Sequence, residues 1–439
     1  MESELKLNYR STMYIGFAFF SILMVWQVYN HYGSFFLDAL LESRIEVRTE
    51  RAYIVGIIMA LDNFFALFML PIFGILSDRT KTRFGRRIPY IMFGMLVSAI
   101  IFPLIAVAYI YNSLAGVIIM MLLVLIVMNI YRNPAISLMP DVTPKPLRSK
   151  ANGFINLIGY VGAIIAGGLA LIFGESVENP IINLVPFLIA SGVMLVAMVI
   201  LFIKIKENRL VKETANDMLV GETMSDTLSE VGENIPLSKM DKRNMLIILV
   251  AVFLWFAAFN AIETFISIYS DEVFGDMRWG GLVVIVLVLS SMITFIPAGF
   301  LAAYIGRKKS VIIGLLVMTF GLFLCMMTNS LTFVFFFGVF LSGVGWAMVN
   351  VNSYPMVVEM SHKNNVGRYT GYYYTSSMLA QTFTPIIAGF VILIGESYEV
   401  LFPYAGVLAF SAFLVFLLIK EKKDVVRDIK TGLDAFDVD

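Results

Sequence analysis

Leu114–Met139 reads LAGVIIMMLLVLIVMNIYRNPAISLM, and its one charge is Arg132. A helix that crosses a bilayer needs about 20 mostly apolar residues, so this run is long enough to span. Runs of the same kind lie on both sides of it. They predict helices α1 to α6 over 11–37, 52–76, 88–111, 114–139, 151–174 and 183–203. A second set predicts α7 to α12 over 244–270, 278–304, 309–328, 331–357, 366–395 and 400–419. Residues 204–243 between the sets are polar and carry both signs of charge; they read as a mobile cytoplasmic linker. Four segments follow: a six-helix half over 1–203, the linker over 204–243, a second half over 244–419, and a polar cytoplasmic tail over 420–439.

Composition agrees with lipid as the solvent. The chain is 59% hydrophobic and 15% charged, with a mean hydropathy of +0.84, whereas soluble domains carry roughly 45–50% apolar and about 25% charged residues. Net charge is zero, so no basic field points to nucleic acid. One cysteine and two histidines are too few for a zinc site of the common type. No metal or cofactor is expected. No nucleotide loop or nucleophile motif points to an enzyme. The first apolar stretch, Met13–Val28, lacks a small-residue cleavage site and reads as α1 rather than a leader.

Basic residues orient the helices. Placing both termini and every second loop inside collects all but five of the 32 Lys and Arg; the exceptions are Arg44, Arg48, Arg51, Arg278 and Arg132. The positive-inside rule therefore predicts cytoplasmic termini, in the plasma membrane.

The halves echo each other. Tyr29-Asn30 in α1 matches Phe259-Asn260 in α7, and Gly85-Arg86-Arg87 after α2 matches Gly306-Arg307-Lys308 after α8. Pro134, Asp141, Arg148 and Gly153 match Pro355, Glu359, Arg368 and Gly371. A parallel repeat of two six-helix halves resembles the major facilitator plan, which puts a solute site between the halves. The expected architecture is all-α, with twelve helices and pseudo-two-fold symmetry.

The string from Pro71 to Pro89, PIFGILSDRTKTRFGRRIP, is the most specific in the chain. It resembles the signature of the glycoside–pentoside–hexuronide:cation symporter family, and within it the sucrose/proton symporters. Met139-Pro-Asp141-Val-Thr-Pro-Lys-Pro-Leu-Arg148 resembles the loop after α4 in the same group. Sodium-coupled members of the melibiose type carry paired acids on α2 where this chain has Ala66 and Leu70. The resemblance thus implies a proton, or no ion, rather than sodium.

Asp78 leaves α2 beside several arginines. Such pairs can latch helix ends at the cytoplasmic face while the protein faces outward, and the predicted gate comprises Asp78, Arg79, Arg83, Arg86, Asp141 and Arg148, with Glu359 and Arg368 in the second half, where Ala303 replaces the acid. A basic loop that only sets topology is the plainer alternative.

Ionisable groups inside spanning helices are costly and face a cavity or a partner. Asp62 in α2 and Glu263 in α7 are the predicted proton carriers, because a carboxyl reached alternately from each side can take up and release a proton. Arg132 is the predicted permanent cation, a partner to an acid or a fork-shaped donor to solute. Structural ion pairs are the alternative for all three. Amide and aromatic stripes add the predicted solute contacts: Trp26, Gln27 and Asn30 on α1, Asn156 on α5, Asn260 on α7, Asn350, Asn352 and Tyr354 on α10, and Tyr374 and Gln381 on α11. A sugar suits amides and ring faces, although interhelical hydrogen bonding would use the same residues. His31 reads as a packing residue or a proton relay.

The predicted function is secondary active transport of a sugar or glycoside by alternating access, as proton symport by a monomer in the lipid bilayer. A lysolipid or drug-like solute on the same fold is the first alternative. A membrane sensor that moves nothing is the second.

Overall fold

The computed structural model describes residues 5–174, 179–227, 239–359 and 366–420. Among the described residues there is no strand, and twelve helices are long and apolar enough to cross a membrane. They are α1 Tyr9–Leu41, α2 Arg48–Arg79, α3 Ile88–Ile110, α4 Leu114–Asp141, α5 Lys145–Phe173 and α6 Pro180–Lys204. The second six are α7 Lys239–Phe274, α8 Arg278–Ile305, α9 Arg307–Met326, α10 Phe333–Glu359, α11 Val366–Gly395 and α12 Tyr398–Leu417. Several overrun the predicted apolar runs. Hydropathy marks only the length matched to hydrocarbon, and the backbone stays helical until something caps it. α1, for instance, starts at Tyr9 because the Asn8 side chain accepts a hydrogen bond from the Ser11 amide. α3 is interrupted at Phe102, since Pro103 has no N–H to continue the ladder.

The two halves pack alike. α1 lies on α5 and α6, α2 on α4, and α3 on α4 and α6; in the same way α7 lies on α11 and α12, α8 on α10, and α9 on α10 and α12. Across the halves α2 meets α11, α5 meets α8, and α1 meets α7. The repeat also holds at the backbone. Gly85 and Gly306, matched by sequence, both take positive φ, at 122° and 89°, where side chains other than glycine are disfavoured.

The face holding Tyr9, Arg79 and Asp141 is called here the terminal face, and the face holding Leu41 and Arg48 the distal face. Small residues bring the halves together near the distal face. A Cβ on Gly281 of α8 would stand 2.6 Å from the Gly167 carbonyl oxygen of α5, and one on Gly389 of α11 would stand 2.5 Å from that of Ala52 of α2. A Cβ on Gly56 would collide with the Pro385 carbonyl. Toward the terminal face this closeness is lost. Beside Gly153 of α5 the nearest atom to an added Cβ is 4.0 Å away, on Phe295 of α8, and Gly371 of α11 has none within 4 Å. Tyr374, one turn further along α11, is 53% exposed. The halves thus form a cleft that widens toward the terminal face.

Part of the linker is ordered, in contrast to its expected mobility. Glu207–Glu213 and Ala215–Thr227 are helical, and the second of these packs on the turn at Lys145–Leu147. The tail beyond 420 and the linker over 228–238 lie outside the described residues.

Candidate solute-binding site

The middle of the bundle is built by α1, α4 and α7. Trp26, Gln27 and Asn30 share a face of α1 because residues three and four apart stack along a helix. That face meets Glu263 of α7. Gln27 donates from Nε2 to Glu263 Oε1 at 2.8 Å, and the side chains of Trp26 and Asn30 stand near the same carboxyl group. Arg132 of α4 lies with its guanidinium 5.0 Å from the centre of the Trp26 ring, a cation–π contact, and its charge acts on Glu263. An acid of one half therefore accepts an amide donor from the other half, with an indole, a second amide and an arginine alongside. Five of the predicted site residues meet here.

The other predicted residues make separate contacts. Asn260, one turn before Glu263, donates to the Phe256 carbonyl at 2.8 Å. Trp346 of α10 stacks on Phe259 with ring centres 4.0 Å apart, and Asn350 donates to the Trp346 carbonyl at 3.2 Å. Nearer the terminal face Tyr354 pairs with Thr370 at 3.2 Å and packs among Tyr373 and Tyr374. Asn156 is half-buried on α5. The Gln381 backbone carbonyl accepts from Asn63 of α2 at 3.3 Å, a bond between the halves. Asn352 is placed elsewhere: its amide donates to Ser310 Oγ of α9 at 3.1 Å and to the Met348 carbonyl at 2.8 Å, away from the other half. The Asp62 side chain lies outside the described residues. His31 is buried, edge-on to Tyr32 and beside Gly280.

The charged loop after α2 works within one half. Arg87 binds Asp78, Ser77 Oγ and, at 2.8 Å, Asp141; Arg86 binds Asp141 at 2.8 Å. The ends of α2, α3 and α4 are thereby held together. Arg148 donates to the carbonyls of Pro140 and Thr143. Arg79 is exposed, and Arg83 turns away to lie over Phe84 at 4.6 Å. The side chains of Glu359 and Arg368 lie outside the described residues.

Two elements of this region were not foreseen. Glu207, from the linker, accepts the backbone N–H groups of Arg86, Arg87 and Ile88 at 2.8, 2.9 and 3.0 Å. It caps the start of α3 from a distance in sequence that spacing rules do not reach. At the distal face Asp38 of α1 accepts Arg48 and Arg51 of α2 at 2.9 and 2.8 Å, and Arg48 continues to Asp271 and Glu272 of α7, both at 2.6 Å. This cluster ties the halves together on the side where the cleft is closed. Its arginines were among the exceptions to the positive-inside count, which was the one signal available in the sequence.

A family model described as Major Facilitator Superfamily matches residues 10–296 and 280–435. The chain belongs to the major facilitator superfamily. It is similar to the tetracycline resistance protein, class E, of Escherichia coli, at 25% identity over 283 residues, 61% of this chain and 62% of that protein; the match thus spans less than two thirds of the relative. Among solved structures, a D-xylose-proton symporter has a TM-score of 0.67 at 14% identity, covering 94% of this chain and 98% of that one. A partially occluded, inward-open xylose transporter from E. coli has a TM-score of 0.65 at 15% identity, covering 96% and 100%. A peptide transporter in complex with sulfate has a TM-score of 0.61 at 15% identity, covering 93% of each chain. At these identities the structures share the fold and nothing narrower. Together they make this chain a multi-pass membrane protein with a transporter fold.

Proposed function

We propose that this major facilitator protein is a secondary active transporter of a sugar or glycoside, coupled to inward movement of a proton. The observation that carries the reading is the Glu263 cluster, an acid of α7 holding Gln27 of α1 with Trp26, Asn30 and Arg132 beside it. Ionised, Glu263 only accepts hydrogen bonds and draws α1 toward α7. Protonated, it loses acceptor capacity and gains a donor, which releases Gln27 and, with Asn30 and the Trp26 ring beside it, offers partners to the hydroxyls and C–H faces of a sugar. A proton and a neutral polyol then favour the same rearrangement, as symport requires. The Pro71–Pro89 string and the absence of the paired acids at Ala66 and Leu70 support the same solute class and ion.

On this reading the terminal face is cytoplasmic, as the basic loops predict, the membrane is the plasma membrane, and the cleft is open inward. One chain encloses its own site and acts as a monomer. The test is uptake into proteoliposomes under an imposed pH gradient. Sugar accumulation should follow the gradient and collapse with a protonophore; accumulation indifferent to both would overturn the coupling. The likeness to a tetracycline resistance protein favours a second reading, in which the cleft takes an amphiphilic or drug-like solute. Binding of such a compound, displaced by no mono- or disaccharide, would select it.

A further inference from the structure

A second concavity, rimmed by cations, lies at the terminal rim of the membrane, outside the cleft. It has a volume of about 190 Å³ and sits between the start of α3 and the end of α6, lined among others by Arg83, Phe84, Phe202, Ile205, Lys206 and Arg209. Among the described residues, none that line it is acidic. The nearest carboxylates are engaged: Glu213 accepts Arg209 Nε at 2.6 Å, and Glu207 faces inward onto the α3 amides. The floor is aromatic. Phe84 and Phe202 meet at 5.6 Å, Arg83 lies over Phe84 at 4.6 Å, and Lys206 Nζ lies 5.2 Å over Phe202.

Its position narrows the ligand. α3 begins at Ile88 and α6 ends at Lys204, so the concavity is at the level where both helices leave the hydrocarbon. Ile203, next in the chain to the lining Phe202, is 55% exposed. A ligand here meets cations above and apolar side chains below, which matches the two ends of a lipid. Basic pockets at this level bind anionic headgroups, and each nearby Lys or Arg adds to the attraction.

We propose that this concavity is a binding site for an anionic phospholipid, its phosphate between Arg83 and Lys206 and its acyl chains along Phe202 and Ile203. The same segments carry the loop and linker contacts of Asn208 with the Thr82 and Arg83 carbonyls, at 3.0 and 3.1 Å. A lipid seated there fastens the linker to the loop that holds Arg86 and Arg87 on Asp141. The inference does not depend on which solute the protein carries.

The test uses the full chain purified in detergent and titrated separately with phosphatidylglycerol, phosphatidylcholine and inorganic phosphate, read by thermal shift and by native mass spectrometry. The expected result is a preference of about tenfold for phosphatidylglycerol over phosphatidylcholine, since two cations act on one headgroup. Arg83→Gln with Lys206→Gln should abolish the preference while leaving the melting temperature in phosphatidylcholine unchanged, and Lys81→Gln, outside the concavity, should retain it. Equal binding of the two lipids, or a preference kept by the double variant, would overturn the site. Inorganic phosphate reproducing the whole shift would overturn the lipid in favour of a small-anion site. If the double variant does not fold, direct competition between the two lipids on the wild-type chain decides.

Discussion

Glu263 is the residue on which the proposed coupling turns. Glu263→Gln keeps the shape and a hydrogen-bonding capacity but cannot cycle a proton. Counterflow of solute across proteoliposomes is expected to persist while uphill accumulation is lost, a split that general misfolding would not produce. Asn352 should behave in the opposite way. Its amide serves Ser310 and the Met348 carbonyl, so Asn352→Ala should lower stability by about 1 kcal/mol and leave solute affinity unchanged. In the sequence Glu263 reads as a proton carrier and Asn352 as a solute contact, each a polar group in an apolar run. Spacing on α1 puts Gln27, Asn30 and His31 on one face; nothing in α10 told which way Asn352 points, because no polar residue stands three or four positions from it to fix its side.

At the scale of elements, glycines decide how closely helices approach. A Cβ on Gly321 of α9 would lie 2.5 Å from the Gly338 carbonyl oxygen of α10, and one on Gly345 would lie 2.5 Å from that of Gly314. Gly321→Ala should therefore lower thermal stability by about 1–3 kcal/mol. Gly168→Ala on α5, where nothing lies within 4 Å, should be neutral or slightly stabilising. The existence of these elements was legible because a bilayer demands long apolar runs whose backbone is satisfied internally. Their ends were less so, since caps such as Asn8 lie outside the apolar window. The helical linker was missed for another reason: its order comes from the helices resting on Lys145–Leu147 and from Glu207 capping α3, contacts with segments far away in sequence.

For the whole molecule, the distal cluster holds one state of the cleft. Arg48 is 22% exposed and its partners Asp271 and Glu272 are 31% and 46% exposed, so solvent screens the pairs. Their joint effect is about 1 kcal/mol, or about fivefold in population. Arg48→Gln should shift the protein toward opening at the distal face. Ser34 reports this shift: it is buried and its hydroxyl lies 3.0 Å from that of Ser267 across the halves. In a Ser34→Cys background, a membrane-impermeant maleimide applied from the distal side should label the Arg48→Gln protein about fivefold faster at equal opening rates. Unchanged labelling would show that the cluster does not hold the cleft closed.

The sequence by itself determined a membrane protein of twelve helices in two related halves, because hydrocarbon length, helix period and repeated turns are local and additive along the chain. It also marked the ionisable groups within the spans as candidates for the site. Only the tertiary structure decided which of them meet. Glu263 and Gln27 are joined across the halves, as are Arg48 and Asp271, and such pairs depend on how rigid halves dock. Which face the cleft opens to is decided at that level as well. Both openings use the same helices, and the difference between them lies in a few glycine contacts and ion pairs that no single segment contains.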